Sequence, residues 1–398
     1  MAIRKMYRIL SIPLATSLCL LLTTGCWDRV EVNDLAIVTG AGFDLTDDNK
    51  IKLTIQIFDP GSSSESSTMG GSPSNERKQP LLESAVGLNT ADAASKLQEL
   101  LSRKFFWGQA DIFVFGEKLA KHGIQDPMDF LTRHPHPRER ANMYISKGNA
   151  DSILQWEPHI ERNSSEVLRE MSALQSGLDI KLLDVIVQLG SDVHTTVIPW
   201  VSMKTSDNKP TPYLGGYASF QDLKLNHWYN QQKTRGLLWL RNEIMTATLT
   251  AKPGDDDPGV VSLQLLDTRC RLTPSIQGNK WRMKVTVTTK GDLVQSTSSM
   301  DVTKLENIEK LEDLFEGVIT KRISSAVQTA QKSNTDVLLF AREYHRHYPK
   351  QYDTAKLNWK TIFPAIEVEY ETEMTILRTG LIGKNTSLSK SRKEGEGP

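Results

Sequence analysis

Apolar and polar residues alternate without a break from Lys50 to Phe58. Ile51, Leu53, Ile55 and Ile57 fall on one side, and Lys52, Thr54 and Gln56 on the other. A period of two marks a half-buried antiparallel strand. Val30 to Asp44 reads as its partner, with Asp47-Asp48-Asn49 as the turn between them. Residues 61–80 are rich in Ser and Gly and nearly free of apolar side chains, which predicts a flexible surface loop. From 90 to 103 the period changes to that of a helix: Asn89 or Thr90 can cap it, and Ala93, Leu97, Leu100 and Leu101 lie near one face. The compact run Asp111–Gly116, the helix start at Glu117–His122 and the run Ala141–Ser146 together predict a βαβ unit with both sheet faces covered.

Residues 164–175 and 178–189 read as helices and Thr196–Met203 as a strand. Thr205–Pro212 reads as a polar, Pro-bearing linker. Tyr217–Phe220 and Leu223–Leu225 form a hairpin after Gly215-Gly216, and residues 231–241 a short helical or extended piece. Three long strand-like stretches follow, at 244–251, 260–273 and 280–290. A helix is expected over 302–332, with Leu305, Ile308, Leu311, Leu314, Phe315, Val318 and Ile319 at helical spacing. A second helix spans 336–347, a loop 358–364 and a last strand 366–377. The fold class expected is α/β, of mixed α+β character, in three domains, each a mixed or antiparallel sheet packed with helices. These are an N-terminal domain at 26–155, a small middle domain at 156–242 and a C-terminal domain at 243–382, with a polar tail at 383–398.

One stretch stands outside this pattern. Arg4, Lys5 and Arg8 precede an apolar run from Ile9 to Leu22, which ends at Thr23-Thr24-Gly25-Cys26. The run is interrupted by Ser11, Pro13, Thr16 and Ser17. As a helix it would reach roughly 21 Å, short of the roughly 30 Å hydrocarbon core of a bilayer. A basic start, a short apolar run and a small residue before a thiol is the order of a signal peptide ending in a lipidation site. Residues 1–25 are therefore read as a cleaved leader and Cys26 as the lipid-bearing residue. Leu22 sits one place earlier than the usual pattern has it. A diacylglyceryl group inserts two acyl chains, enough for stable anchoring where one chain is marginal. No second apolar run approaches spanning length.

The chain has 398 residues with 48 basic and 48 acidic side chains. Loss of the leader removes Arg4, Lys5 and Arg8 and no acid, which leaves a net charge of −3. That balance argues against a nucleic-acid partner. With Cys19 in the leader and Cys26 lipidated, Cys270 stands alone, so no internal disulfide is expected and a buried structural thiol is. No phosphate loop, nucleophile elbow or H-E-x-x-H is present. His134 and His136, like His345 and His347, stand two residues apart and lack partners at metal spacing, so no metal or cofactor is assigned. Phe105-Phe106-Trp107 is expected to pack between helix and sheet. Glu306, Glu309, Lys310, Glu312 and Asp313 are expected on the solvated face of the long helix, a possible docking surface.

Several stretches taken together resemble one family. Gly25-Cys26-Trp27-Asp28-Arg29-Val30-Glu31-Val32-Asn33-Asp34-Leu35-Ala36 is similar to the start of the Ger(x)C spore-germination lipoproteins. Gly116–Ile124, Gly216–Phe220, Arg235–Leu240, Asp336–Phe340 running on to His347-Tyr348-Pro349, and Arg378–Gly383 follow in the family's order. Asn226 and Ala341 stand where the family tends to carry Gly. The resemblance implies the C subunit of a nutrient germinant receptor with three α/β domains. It implies a diacylglyceryl anchor on the outer face of the spore inner membrane, and partnership with an A subunit and a transporter-like B subunit. It supplies no catalytic residue, and only the lipid-bearing role carries over to one position, Cys26. Two other readings belong to different classes: a solute-binding lipoprotein that delivers a small ligand to a transporter, and a lipid-anchored wall hydrolase.

Overall fold

Every residue of two consecutive strands is buried, and that sets the architecture. β5 (Ile112–Gly116) is apolar on both faces and β6 (Asn142–Ser146) is buried on both, so helices must cover both sides of the sheet that holds them. The computed structural model describes residues 31–58, 81–158, 160–174, 179–206, 209–244, 247–254 and 256–379. The leader with Cys26, the loop at 61–80 and the tail at 383–398 lie outside the described residues.

β1 (Leu35–Leu45) follows a single 3-10 turn, and β2 (Ile51–Ile57) returns antiparallel to it, from Leu45↔Ile51 to Val38↔Ile57. β3 (Leu81–Gly87), which the sequence pattern did not predict, pairs antiparallel on the outside of β2. α1 (Thr90–Glu99) is capped by the Asn89 side chain, which accepts the Asp92 N–H at 2.8 Å. It buries Ala93 and Leu97, while Leu100 points out. β4 (Lys104–Phe106) and β5 (Ile112–Gly116) both run parallel to β1. α2 (Glu117–His122) and α3 (Gln125–Arg133) lead to β6 (Asn142–Ser146), parallel to β5, which completes the expected βαβ unit.

α4 (Ala150–Gln155), α5 (Ser164–Leu174) and α6 (Leu182–Leu189) intervene before β7 (Thr195–Ser206), which pairs parallel with β6. β8 (Lys209–Gln221) and β9 (Lys224–Trp228) continue antiparallel from there, and α7 (Gln231–Leu240) follows. Among the described residues the sheet order is β3-β2-β1-β5-β6-β7-β8-β9, with β4 beside β1. Residues 26–155 and 156–242, set out above as two domains, thus share one sheet: a parallel centre flanked by antiparallel hairpins.

The second sheet is β10 (Thr248–Ala251), β11 (Val261–Gln277), β12 (Lys280–Ser296) and, after the helices, β13 (Glu367–Arg378). The long α8 (Leu305–Lys332), α9 (Phe340–His347), α10 (Pro349–Ala355) and α11 (Trp359–Ile362) make the crossover from β12 to a parallel β13. Burial along β12 alternates from Met283 to Thr289, so one face of this sheet is packed and the other open.

Three local expectations are corrected. Thr205, Ser206 and Lys209–Pro212, the described residues of the expected linker, form the far end of the β7–β8 ladder instead, Thr205 opposite Pro210 and Met203 opposite Pro212. Proline is tolerated there because β9 pairs only with Ala218–Gln221, which leaves this part of β8 an edge without its second partner. Residues 358–364 are no open loop but successive helical turns, the last of them with Pro364 at a first-turn position. The second face of β2 is not solvated. Gln56 is fully buried and satisfied: its amide nitrogen donates to the Leu154 carbonyl (3.1 Å) and Ser164 Oγ (3.0 Å), and its oxygen accepts from Ser165 Oγ (2.6 Å). That network holds the α4–α5 connection against the sheet and excludes water from the face.

Candidate functional site

The residue assigned the lipid, Cys26, lies outside the described residues. Glu31, the first described residue, follows it by five positions, and β1 starts at Leu35. Nine residues of fully extended chain span at most about 32 Å, so a lipid on Cys26 would keep the first sheet within that distance of a bilayer. Among the described residues no helix is long and apolar enough to cross a membrane.

The body's own chemistry concentrates where its two sheets meet, at α7, α8 and α9. Gly236 on α7 lets α8 approach closely; a β-carbon there would run into the Arg322 carbonyl and Ala326. Beyond the end of α8, Asp336 is wholly enclosed. Its carboxylate accepts the backbone N–H groups of Phe340 (3.1 Å) and Ala341 (2.7 Å), the orphan donors of the first turn of α9, and Trp359 Nε1 (3.1 Å). Burial lifts its pKa from the ordinary 3.8 to about 6, against the pull of those donors. Leu339 enters the helix in a left-handed conformation, φ 67°, which aims the first turn at the carboxylate. Trp359 in turn packs edge-on against Trp281, Tyr344 and Tyr352, so one carboxylate organises the aromatic knot between α9, α11 and β12. The Thr195 hydroxyl donates to the Asp336 carbonyl (3.0 Å), and Arg241, bound to Glu243 at 2.8 Å, donates to the Val337 carbonyl (3.3 Å). Those bonds fix the knot to the large sheet.

Beside the knot lies a groove of about 770 Å³ between α9, the end of α7 and strands β11 and β12. Six cations line it: Arg241, Arg269, Arg271, Lys290, Arg342 and Arg346. Its acids are Asp267 and Glu343. Glu343 is almost buried and already held by Arg346 (2.6 Å) and Arg342 (3.4 Å). At the groove wall the Asn242 side chain pairs with β11 as a strand would: it accepts the Cys270 N–H and donates to the Cys270 carbonyl, each at 2.7 Å. The Cys270 thiol is buried, and burial pushes its pKa up to about 12, so it stays a neutral packing group.

The remaining sequence candidates are placed individually. Trp107 is buried and Phe105 packs against its edge and against the core. His134 lies against Phe130 and His136; His345 stacks on Tyr352, and His347 Nδ1 faces the Glu343 carbonyl at 3.0 Å. Among the described residues no group of three or more His, Cys, Asp or Glu is arranged to hold a metal ion. Glu306 pairs with Lys310 on the solvated side of α8, as expected. Glu312 does not belong to that side: it accepts the Ile376 N–H on the outer edge of β13 at 2.7 Å. Asn226 puts its side chain to use, donating to the Ser333 carbonyl (2.8 Å) and bonding Thr335, which ties β9 to the end of α8. Sequence reasoning did not find the Asp336 cap or the cationic groove. The only local signals were a lone Asp two residues after Asn334, and cations that alternate with buried residues at Arg269-Cys270-Arg271.

Comparison with known proteins agrees with the architecture. The family described as "Spore germination protein N-terminal domain" matches residues 28–203, and "Spore germination B3/ GerAC like, C-terminal" matches residues 215–380. The chain is 26% identical to spore germination protein KC of Bacillus subtilis over 386 residues, 92% of this chain and 94% of the relative. It is 21% identical to spore germination protein B3 of the same organism over 380 residues, 92% and 96% of the two. The crystal structure of the GerBC protein superposes with a TM-score of 0.57 at 16% identity, covering 85% of this chain and 97% of that one.

Proposed function

The chain belongs to the Ger(x)C family of spore germination proteins, and from that premise we propose that it is the C subunit of a nutrient germinant receptor. In this reading it is a non-catalytic body. A diacylglyceryl group on Cys26 tethers it to the outer face of the spore inner membrane, beside the A and B membrane subunits. The observation that carries the reading is the junction of two motifs. The stretch read as a leader, residues 1–25, and the Cys26 that follows it run directly into the match to the family's N-terminal domain, which starts at residue 28. Two buried acyl chains at about 0.8 kcal/mol per methylene would hold a water-compatible body at a bilayer durably.

The test is Cys26→Ala in the sporulating host. The expected result is loss of the protein from the spore membrane fraction and a weakened response to nutrient. Retention in that fraction together with an unchanged response would overturn the tether.

A further inference from the structure

We propose that the groove between α9 and the β11–β12 strands is the docking site for an extended acidic segment of a partner protein. Its cations outnumber its acids by six to two, and both acids are engaged: Glu343 by Arg342 and Arg346, Asp267 by Arg269 at 3.7 Å. Arg271 and Lys290 stand exposed and form no ion pair among the described residues. Five of the six cations are guanidinium groups, whose planar fork matches a carboxylate with two parallel hydrogen bonds.

The spacing of the cations selects the shape of the ligand. Arg269 and Arg271 are two positions apart on β11, a repeat of about 6.6 Å. Arg342 and Arg346 are one turn apart on α9, about 6 Å. An extended chain with an acid at every second position has the same repeat and would meet both rows. A small molecule fits less well, because small-molecule pockets are mainly apolar, whereas this lining is dominated by charged side chains. A bilayer is flat and would touch only the rim of a concave groove. A second copy of this chain could offer the alternating Glu367, Glu369, Glu371 and Glu373 of β13. That contact would join two different surfaces and, unless it closed into a ring, would build an open polymer. The reading does not depend on the lipid at Cys26, so either can fail alone.

The experiment uses the full chain in detergent and a fluorescent peptide of four Glu-Ser repeats, with Gln-Ser repeats as control. The wild type is expected to bind the acidic peptide at least about tenfold tighter than the control, more weakly as salt rises. The pair Arg271→Glu and Lys290→Glu is expected to lose that preference with its thermal midpoint unchanged, since both side chains are exposed and unpaired. Equal binding of the two peptides by the wild type, or an unchanged preference in the double variant, would overturn the proposal. So would a double variant that loses only its binding to phosphatidylglycerol vesicles, or a wild type that polymerises through the groove.

Discussion

The two sheets solve the same problem in opposite ways. In β5 and β6 all ten residues are buried, and side chains on both faces meet helices. In β11 and β12 burial alternates from Cys270 to Pro274 and from Met283 to Thr289, and the open face carries Arg269, Arg271, Lys284 and Lys290. The centre of the first sheet therefore has no side left for a partner, and the second sheet has an open side. The knot at Asp336 and the cationic groove lie where the second sheet meets the helices that join it to the first. The difference teaches that the centre of the large sheet is scaffold, and that the cationic surface chemistry is carried by the smaller sheet.

The largest expected effect tests that contrast directly. Val114→Glu places a carboxylate in the middle of β5, where no face is wet. An unpaired buried charge costs several kcal/mol, a large part of a domain's whole stability. Loss of the cooperative thermal transition is expected. Thr273→Glu on the exposed face of β11 is expected to move the midpoint by no more than the equivalent of about 0.5 kcal/mol. Similar losses in the two variants would break the comparison.

That contrast also marks what the sequence could reveal. The unbroken run Ile112-Phe113-Val114-Phe115 and the clean alternation from Trp281 to Val287 are local patterns, and both became the strands they predicted. Pairing between strands far apart in the chain leaves no local trace. Nothing in residues 142–146 announces that β7, fifty residues on, will lie beside them. Pro210 and Pro212 suggested a linker because their missing N–H is a local fact, while the absence of a second partner for that part of β8 is a tertiary one. Gln56 looked solvent-facing for the same reason: its partners Ser164 and Ser165 are more than a hundred residues away. The candidate tether was legible in the order of residues 1–26. The groove was not, because its cations come from three separate elements, β11, β12 and α9, and the turn after α7.

The next effect concerns pH. Burial raises Asp336 from 3.8 to about 6, so the fold prefers the protonated acid. A raised carboxyl contributes its stabilisation fully below about pH 3.8 and loses it as pH climbs through about 6. The span corresponds to about 3 kcal/mol. Asp336→Asn stays neutral throughout and keeps one acceptor oxygen for the first turn of α9, but turns a donor toward other donors. The variant is expected to be less stable at every pH, most of all near pH 4, with the gap narrowing by up to about 3 kcal/mol toward pH 7. Urea titrations of both proteins at pH 4, 5.5 and 7 measure the gap. A gap that widens with pH would mean that the three N–H donors outweigh burial.

The smallest effect concerns the edge of the open sheet. The outer side of β13 would offer unpaired N–H groups to any passing strand. α8 covers it in a regular way: the Thr320 and Thr372 hydroxyls bond each other at 2.8 Å, Glu316 accepts the Met374 N–H at 2.9 Å, and Glu312 accepts that of Ile376 at 2.7 Å. The steps match because four helical residues rise about 6.0 Å and two strand residues about 6.6 Å. Glu312→Ala with Glu316→Ala removes two acceptors from partly wet donors, at a cost of about 1 kcal/mol each. The matching Gln pair keeps a carbonyl oxygen at each place and is expected to lose less than half as much. If edge protection is the role of these carboxylates, the Ala pair alone will show a size that grows with concentration in light scattering. Equal behaviour of the Ala and Gln pairs would mean that charge, rather than the covered edge, is what these positions supply.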